Sequence, residues 1–232
     1  MAFRLSAKNV LFILALLVLI GAAGASVYKS YRSNTTYTST VDTGLSAEIK
    51  QTFLQRIELT KAAIATQEAD TEKDDLFLYS SLASDQTMLG DLQGAADTYK
   101  HYLADKNTID FVAWNNYGDV LERMEDYIGA EQAYKQAIGL NPAEEYYRDY
   151  IVFLQVHFQQ ERKDEILAML EEGMEKVGRT RWFLVETARW YQEAGDCDQA
   201  QAHYKVAIQV TEDPGIKATI EKEMKEAATE CK

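Results

Sequence analysis

The side chains of this sequence best able to ligate a metal or attack an electrophile are three histidines, His101, His157 and His203, and two cysteines, Cys197 and Cys231. Their spacing does not assemble a site. Only His157 has an acidic neighbour at helical spacing, Glu161 at i+4, and a helix face with two ligands falls short of the three or four that zinc takes. No second such pair occurs. The sequence also has no glycine-rich phosphate loop, G-x-S-x-G turn or H-E-x-x-H helix. Carboxylates are abundant, 37 Asp and Glu against 24 Lys and Arg, and in that number they read as solvated helix faces rather than acid–base pairs. No catalytic residue, metal or cofactor is expected.

The elements that would position any site are set by composition. The 232 residues include only 2 prolines and 12 glycines, which favours long helices over collagenous or low-complexity structure. Formal charge is −13. Four basic residues, Arg4, Lys8, Lys29 and Arg32, stand in an N-terminal stretch without acidic side chains, so the remainder carries about −17. A body so charged repels nucleic-acid phosphates and anionic lipid surfaces, and no nucleic-acid partner is expected.

Val10–Val27, VLFILALLVLIGAAGASV, runs uncharged for close to the shortest length that crosses a bilayer. Arg4 and Lys8 ahead of it favour a cytoplasmic N-terminus, although Lys29 and Arg32 behind it make the asymmetry weak. The expected order is a cytoplasmic segment over 1–8, a transmembrane anchor over 9–28 and a Ser/Thr-rich linker over 29–45. A secretory signal peptide is the competing reading. Val10–Ile20 would be its apolar core and Ala23-Gly24-Ala25 its cleavage site, giving a protein secreted after cleavage near Ala25. Both readings send the rest of the chain across the membrane, to the periplasmic side if the anchor is kept.

Internal repetition is the decisive pattern. Phe111–Glu144 reads FVAWNNYGDVLERMEDYIGAEQAYKQAIGLNPAE, with Trp114, Tyr117-Gly118 and Leu121, then Ala130, Tyr134, Ala137 and Pro142. Small Gly118 and Ala130 suit two antiparallel helices in close approach, and Tyr134 beside Ala137 gives a large-next-to-small pair. Glu125-Asp126 with Gly129 marks the turn, and Pro142 halts the second helix. These residues resemble the tetratricopeptide repeat, whose pattern W-x2-L-G-x2-Y…A-x3-F…A…P recurs over about 34 residues.

Leu76–Asp110 offers Ala83, Gly90-Asp91, Ala95 and Tyr99, with Tyr102 where a small residue is usual. Arg181–Pro214 offers Ala188, Tyr191, Gly195-Asp196, Ala200, Tyr204 and Ala207. The stretch between keeps the helical period through Phe153, Leu154, Ile166 and Leu170 but loses the small residues, so altered helix angle or separation is expected there. The expected fold is all-α, a tetratricopeptide-like α-solenoid of helical hairpins preceded by one transmembrane helix. Its repeats span 76–110, 111–146, 147–180 (degenerate) and 181–214, between capping helices within 46–75 and 215–232.

The resemblance implies that the first helices of successive repeats line a groove for a protein or peptide, through positions two, five, nine and twelve of each repeat. The candidate contacts are Phe77 in the first repeat, Asn115, Asp119 and Glu122 in the second, Arg148, Gln155 and Phe158 in the third, and Trp182, Arg189 and Gln192 in the fourth. Ser80, Ser84, Thr87, Val112, Ile151 and Val185 fill the other groove positions. Surface Trp and Arg are frequent binding anchors. Relatives that grip a C-terminal carboxylate use a Lys/Asn/Arg clamp; here Ser, Asn, Asp and Gln stand in place of its lysines, so that activity is not implied.

Cys197 falls in the turn opening the last repeat's second helix, and Cys231 at the end of the capping helix. If the cap packs antiparallel on the helix before it, arms of about 14–16 residues bring the two cysteines level. A disulfide closing a loop of about 35 residues would then stabilise by roughly 3–4 kcal/mol; two unrelated thiols are the other reading. The sequence points to a non-enzymatic, membrane-tethered scaffold, adaptor or assembly factor of the cell envelope. The alternatives are an architectural, self-assembling homo-oligomeric subunit and a helper of secretion or periplasmic folding.

Overall fold

Three turns in the sequence, Gly90-Asp91, Glu125-Asp126 and Gly195-Asp196, are built on one plan. Gly90, Glu125 and Gly195 have φ of 80°, 62° and 80°, the left-handed conformation that closes a helix. The next residue, Asp91, Asp126 or Asp196, donates its N–H back to the carbonyl of Gln86, Leu121 or Tyr191, at 2.9 Å in each case. The same aspartate then caps the following helix, its carboxylate accepting from the backbone N–H of Gly94, Gly129 or Gln199 at 3.0–3.1 Å. One helix ends and the next begins within three residues, which forces an antiparallel hairpin.

The computed structural model describes residues 42–69, 77–106 and 108–230, all within one compact unit, Thr40–Lys232. The expected transmembrane segment 9–28, the linker before residue 42 and Cys231 lie outside the described residues. Among the described residues no helix is long and apolar enough to cross a membrane. Ten α-helices follow one another there: α1 (Ala47–Ala69), α2 (Phe77–Leu89), α3 (Leu92–His101), α4 (Phe111–Arg123), α5 (Tyr127–Leu140), α6 (Glu144–Phe158), α7 (Lys163–Lys176), α8 (Arg181–Glu193), α9 (Cys197–Val210) and α10 (Pro214–Glu230). Each packs on the next, and α4 also touches α2 and α6. The architecture is an all-α solenoid of hairpins whose first helices α2, α4 and α6 share a face.

Small and large residues set how closely the hairpins close. A Cβ added at Gly118 would lie 2.8 Å from the ring of Tyr134, so glycine there is a requirement of the α4–α5 contact. Where Ala137 and Ala207 are fully buried, the residue directly after α3 is Tyr102, also buried. From that residue the helix continues as a π turn, Tyr102–Lys106, which accommodates the extra ring, and its hydroxyl donates to Asp110 at 2.7 Å. Asp110 in turn caps α4.

The third hairpin, α6–α7, has neither the glycine nor the capping aspartate. Arg162 occupies the N-cap position of α7 without a side-chain cap bond. Its guanidinium instead clasps Glu131 of α5 with two bonds of 2.7 Å and reaches Glu165 at 2.7 Å. A small residue does survive in this repeat: a Cβ at Gly173 would lie 2.4 Å from Phe183. It serves the contact of α7 with α8 rather than the closure of its own hairpin. At the ends, α1 buries Ile57 and Ile64, and α10 buries Ile220 and Ala227.

Candidate protein-binding cleft

The repeat period appears directly as side-chain bonds between first helices. Asn115 of α4 donates Nδ2–H to Asp149 of α6 at 2.7 Å, 34 residues on. Gln159, just past α6, donates to Glu193 of α8 at 2.9 Å, again 34 residues on. Arg189 of α8 donates to Glu223 of α10 across the same interval. Gln155 to Glu186, at 3.3 Å, adds a further tie between α6 and α8. Equivalent positions on a stacked repeat are neighbours, so polar residues there bind one another across the face.

Between α2, α4 and α6 lies a cleft of ≈460 Å³. Its walls are Ser84, Thr87 and Met88 from α2, Asn115, Asn116, Asp119 and Glu122 from α4, and Arg148, Asp149 and Val152 from α6. Tyr99 of α3 and Tyr134 of α5 reach it from the second helices. Tyr134 donates its hydroxyl to Glu122 at 2.8 Å, and His157 Nε2 lies 2.9 Å from the other Glu122 oxygen. Burial, reinforced by Glu122, pushes the Tyr134 phenol far above its ordinary range. Burial likewise raises Tyr99, to about 12, against a hydrogen bond with Asn116. These hydroxyls therefore act as fixed donors and acceptors and do not titrate near neutrality.

Charge in the cleft is unevenly spent. Arg148 pairs with Glu144 and lies over the Trp182 ring at 5.2 Å. Asp119 keeps 56% of its side chain open to solvent and meets Arg123 only at 3.9 Å. Its carboxyl is held above the usual range by partial burial and by repulsion from Glu122 and Asp149, with Arg123 opposing.

The structure thus brings Asn115, Asp119, Glu122 and Arg148 together. Phe77 is 74% exposed at the start of α2 and is not among the residues of this cleft. Phe158 packs edge-on against Tyr127 and Phe153. Trp182 rests on Phe183 as well as under Arg148. Gln192 accepts from the Tyr204 hydroxyl at 3.3 Å, and Arg189 is shared between Glu186 and Glu223. The histidines do not meet. His157 has Glu122 as its partner rather than Glu161, His101 lies 2.9 Å from Asp105, and His203 stacks on Tyr191.

Met88, Asn116, Asp149 and Val152 line the cleft although none holds a groove position of the repeat pattern. Each stands one residue after a groove position, following Thr87, Asn115, Arg148 and Ile151. Ile151 is fully buried, which turns the open face of α6 by one residue toward Val152. Tyrosine rather than phenylalanine at 99 and 134 was the available signal for the second helices, because a buried phenol must find a partner.

No protein-family model matches the chain, and no curated protein sequence matches it. Solved structures do resemble it. The C-terminal part of a TPR repeat-containing protein from Cytophaga hutchinsonii is 13% identical, with a TM-score of 0.58 over 77% of this chain and 67% of that one. Yeast Tom70 is 16% identical, with a TM-score of 0.60 over 78% of this chain and 37% of its own length. YrrB, described as a TPR protein with an unusual peptide-binding site, is 18% identical, with a TM-score of 0.51 over 74% and 89%. At these identities the likeness is one of fold, and the described residues build a helical solenoid of the tetratricopeptide-repeat type.

Proposed function

We propose that the chain is a membrane-tethered, non-catalytic scaffold that receives a protein or peptide partner in the cleft between α2, α4 and α6. The cleft itself carries the reading, since a built recess crosses three successive first helices with polar and apolar groups on its walls. YrrB's described peptide-binding site lends it support. The uncharged run Val10–Val27 supports an anchor, with the N-terminus cytoplasmic and the repeats in the periplasm, serving an adaptor or assembly role in the cell envelope. A signal peptide cleaved near Ala25 would yield the same cleft without the tether.

A disulfide between Cys197 and Cys231 belongs to this proposal. Gln201, early in α9, donates to the carbonyl of Met224, late in α10, at 2.8 Å, so the end of α10 runs back toward Cys197. No free cysteine occurs among the described residues. Alkylation of the unreduced chain should add no mass; two added groups would refute the bridge.

The test of function is crosslinking of the full chain in its native membranes, with Val152→Arg set in the cleft wall and the mature N-terminus sequenced from the same sample. Loss of a crosslinked partner is expected. If every partner survives that substitution, the cleft is not the binding site. A concentration-dependent mass that persists alongside would favour the self-assembling alternative.

A further inference from the structure

Resting on the reading of the cleft as a protein-binding site, we infer that the segment it receives is basic, presenting a lysine or arginine side chain to Asp119, Asp149 and Asn115. Asn115 is only 9% exposed, and its amide oxygen has no hydrogen-bond partner. The amide cannot turn over to relieve this, because its N–H is committed to Asp149 at 2.7 Å. A buried acceptor without a donor costs free energy until one arrives. What the cleft lacks is a donor.

The neighbouring charges say which kind. Asp119, Glu122 and Asp149 line the same recess. Both oxygens of Glu122 are engaged, by Tyr134 and His157, and one oxygen of Asp149 is engaged by Asn115. The cations within reach are spoken for or distant: Arg148 by Glu144 and Trp182, Arg123 by a 3.9 Å approach to Asp119. A neutral backbone N–H would satisfy Asn115 and leave Asp119 and Asp149 unbalanced, whereas an anionic segment would be repelled. A bare metal ion fits poorly, since among the described residues no three His, Cys, Asp or Glu groups converge to hold one. An ammonium or guanidinium on a long stem meets every demand. Exposed Met88 and Val152 beside the carboxylates offer apolar surface to the methylenes of that stem.

Fluorescence anisotropy of the full chain with a labelled decapeptide of alternating Lys and Val, and with its Glu/Val counterpart, tests this at physiological ionic strength. The lysine peptide should bind at least about ten-fold more tightly, ~1.4 kcal/mol. That preference should collapse in Asp119→Asn and in the double variant Asp119→Asn/Asp149→Asn. It should persist in Glu161→Gln/Glu212→Gln, which removes equal charge from exposed positions elsewhere. An equal loss in the remote pair, or no loss in the cleft pair, would overturn the inference in favour of bulk charge attraction. Peptides bound without charge preference yet displaced by Val152→Arg would overturn it while leaving the cleft as a binding site. Binding indifferent to Val152→Arg would remove both.

Discussion

Asn115 on α4 and Asp149 on α6 stand 34 residues apart and meet in a 2.7 Å bond from amide N–H to carboxylate. One repeat length is therefore read out as a single contact between adjacent hairpins, in a fold where stability is built from such neighbour interfaces. Replacing Asn115 with Leu deletes a charge-assisted bond but also an unsatisfied oxygen, so the two effects partly offset and the cost should be about 1 kcal/mol in urea unfolding. Asn115→Asp should cost more, about 2 kcal/mol at neutral pH, because two carboxylates at hydrogen-bonding distance cannot both ionise cheaply. That extra cost should fade on acidification. If Asn115→Asp matches the parent at neutral pH, the two side chains do not touch.

Glu125 occupies the left-handed turn position that Gly90 and Gly195 occupy in sister hairpins. A side chain there carries a backbone penalty of about 1–2 kcal/mol, and glycine would recover it less about 0.5–1 kcal/mol of chain entropy. Glu125→Gly should therefore stabilise by about 0.5–1 kcal/mol, raising Tm by ~2 °C. Gly195→Ala gives the converse with no steric confusion, since nothing lies within 4 Å of a Cβ placed there; it should lose about 1 kcal/mol. Identical Tm values for Glu125→Gly and the parent would show that the turn relaxes around its side chain.

These two sites also show where the sequence was informative. Gly-Asp, Glu-Asp and Gly-Asp at the turns specify hairpin closure through φ and capping, both local properties, so three of the four hairpins could be read from a few residues. The third could not. Arg162 finds Glu131 in the preceding hairpin, 31 residues away, and no local pattern announces such a bond. The cleft was half legible for a similar reason. Asn115, Asp119, Glu122 and Arg148 follow from repeat position, while Asp149 and Val152 depend on how far α6 rotates to bury Ile151. Tyr102 stands in the repeat pattern where a small residue is usual, but the π turn that absorbs it is a response of the backbone that side-chain spacing does not encode.

Glycine at 118 and 173 makes a sharper demand. Added Cβ atoms would sit 2.8 Å from Tyr134 and 2.4 Å from Phe183, well inside van der Waals contact. Tyr134 has little room to yield, because its hydroxyl is held by Glu122 at 2.8 Å. Gly118→Ala should cost about 2 kcal/mol, at the level of core overpacking. Tyr134→Leu, which removes the ring that is met, should rescue part of that cost in the double variant. Strict additivity of the two substitutions would place the Gly118 requirement in the backbone instead.

Acid should unlock the third hairpin first. The paired bonds from Arg162 hold the Glu131 carboxyl down at about 2 from its usual 4.5, against the opposing effect of partial burial and with help from Lys135. Between those two values the unfolded chain takes up a proton that the folded chain does not. This contribution to stability is therefore whole above about pH 4.5 and is lost as pH falls toward 2. Arg162→Met should destabilise by about 2 kcal/mol near neutrality, a difference that shrinks toward zero at the acid end because Glu131 is then protonated in both proteins. Hydrogen exchange should show α7 opening ahead of α4 and α5 in the variant. Arg162 also lies against the Phe158 ring at 5.3 Å, so a difference that stays constant down to pH 2 would assign the stabilisation to that packing rather than to the ion pair.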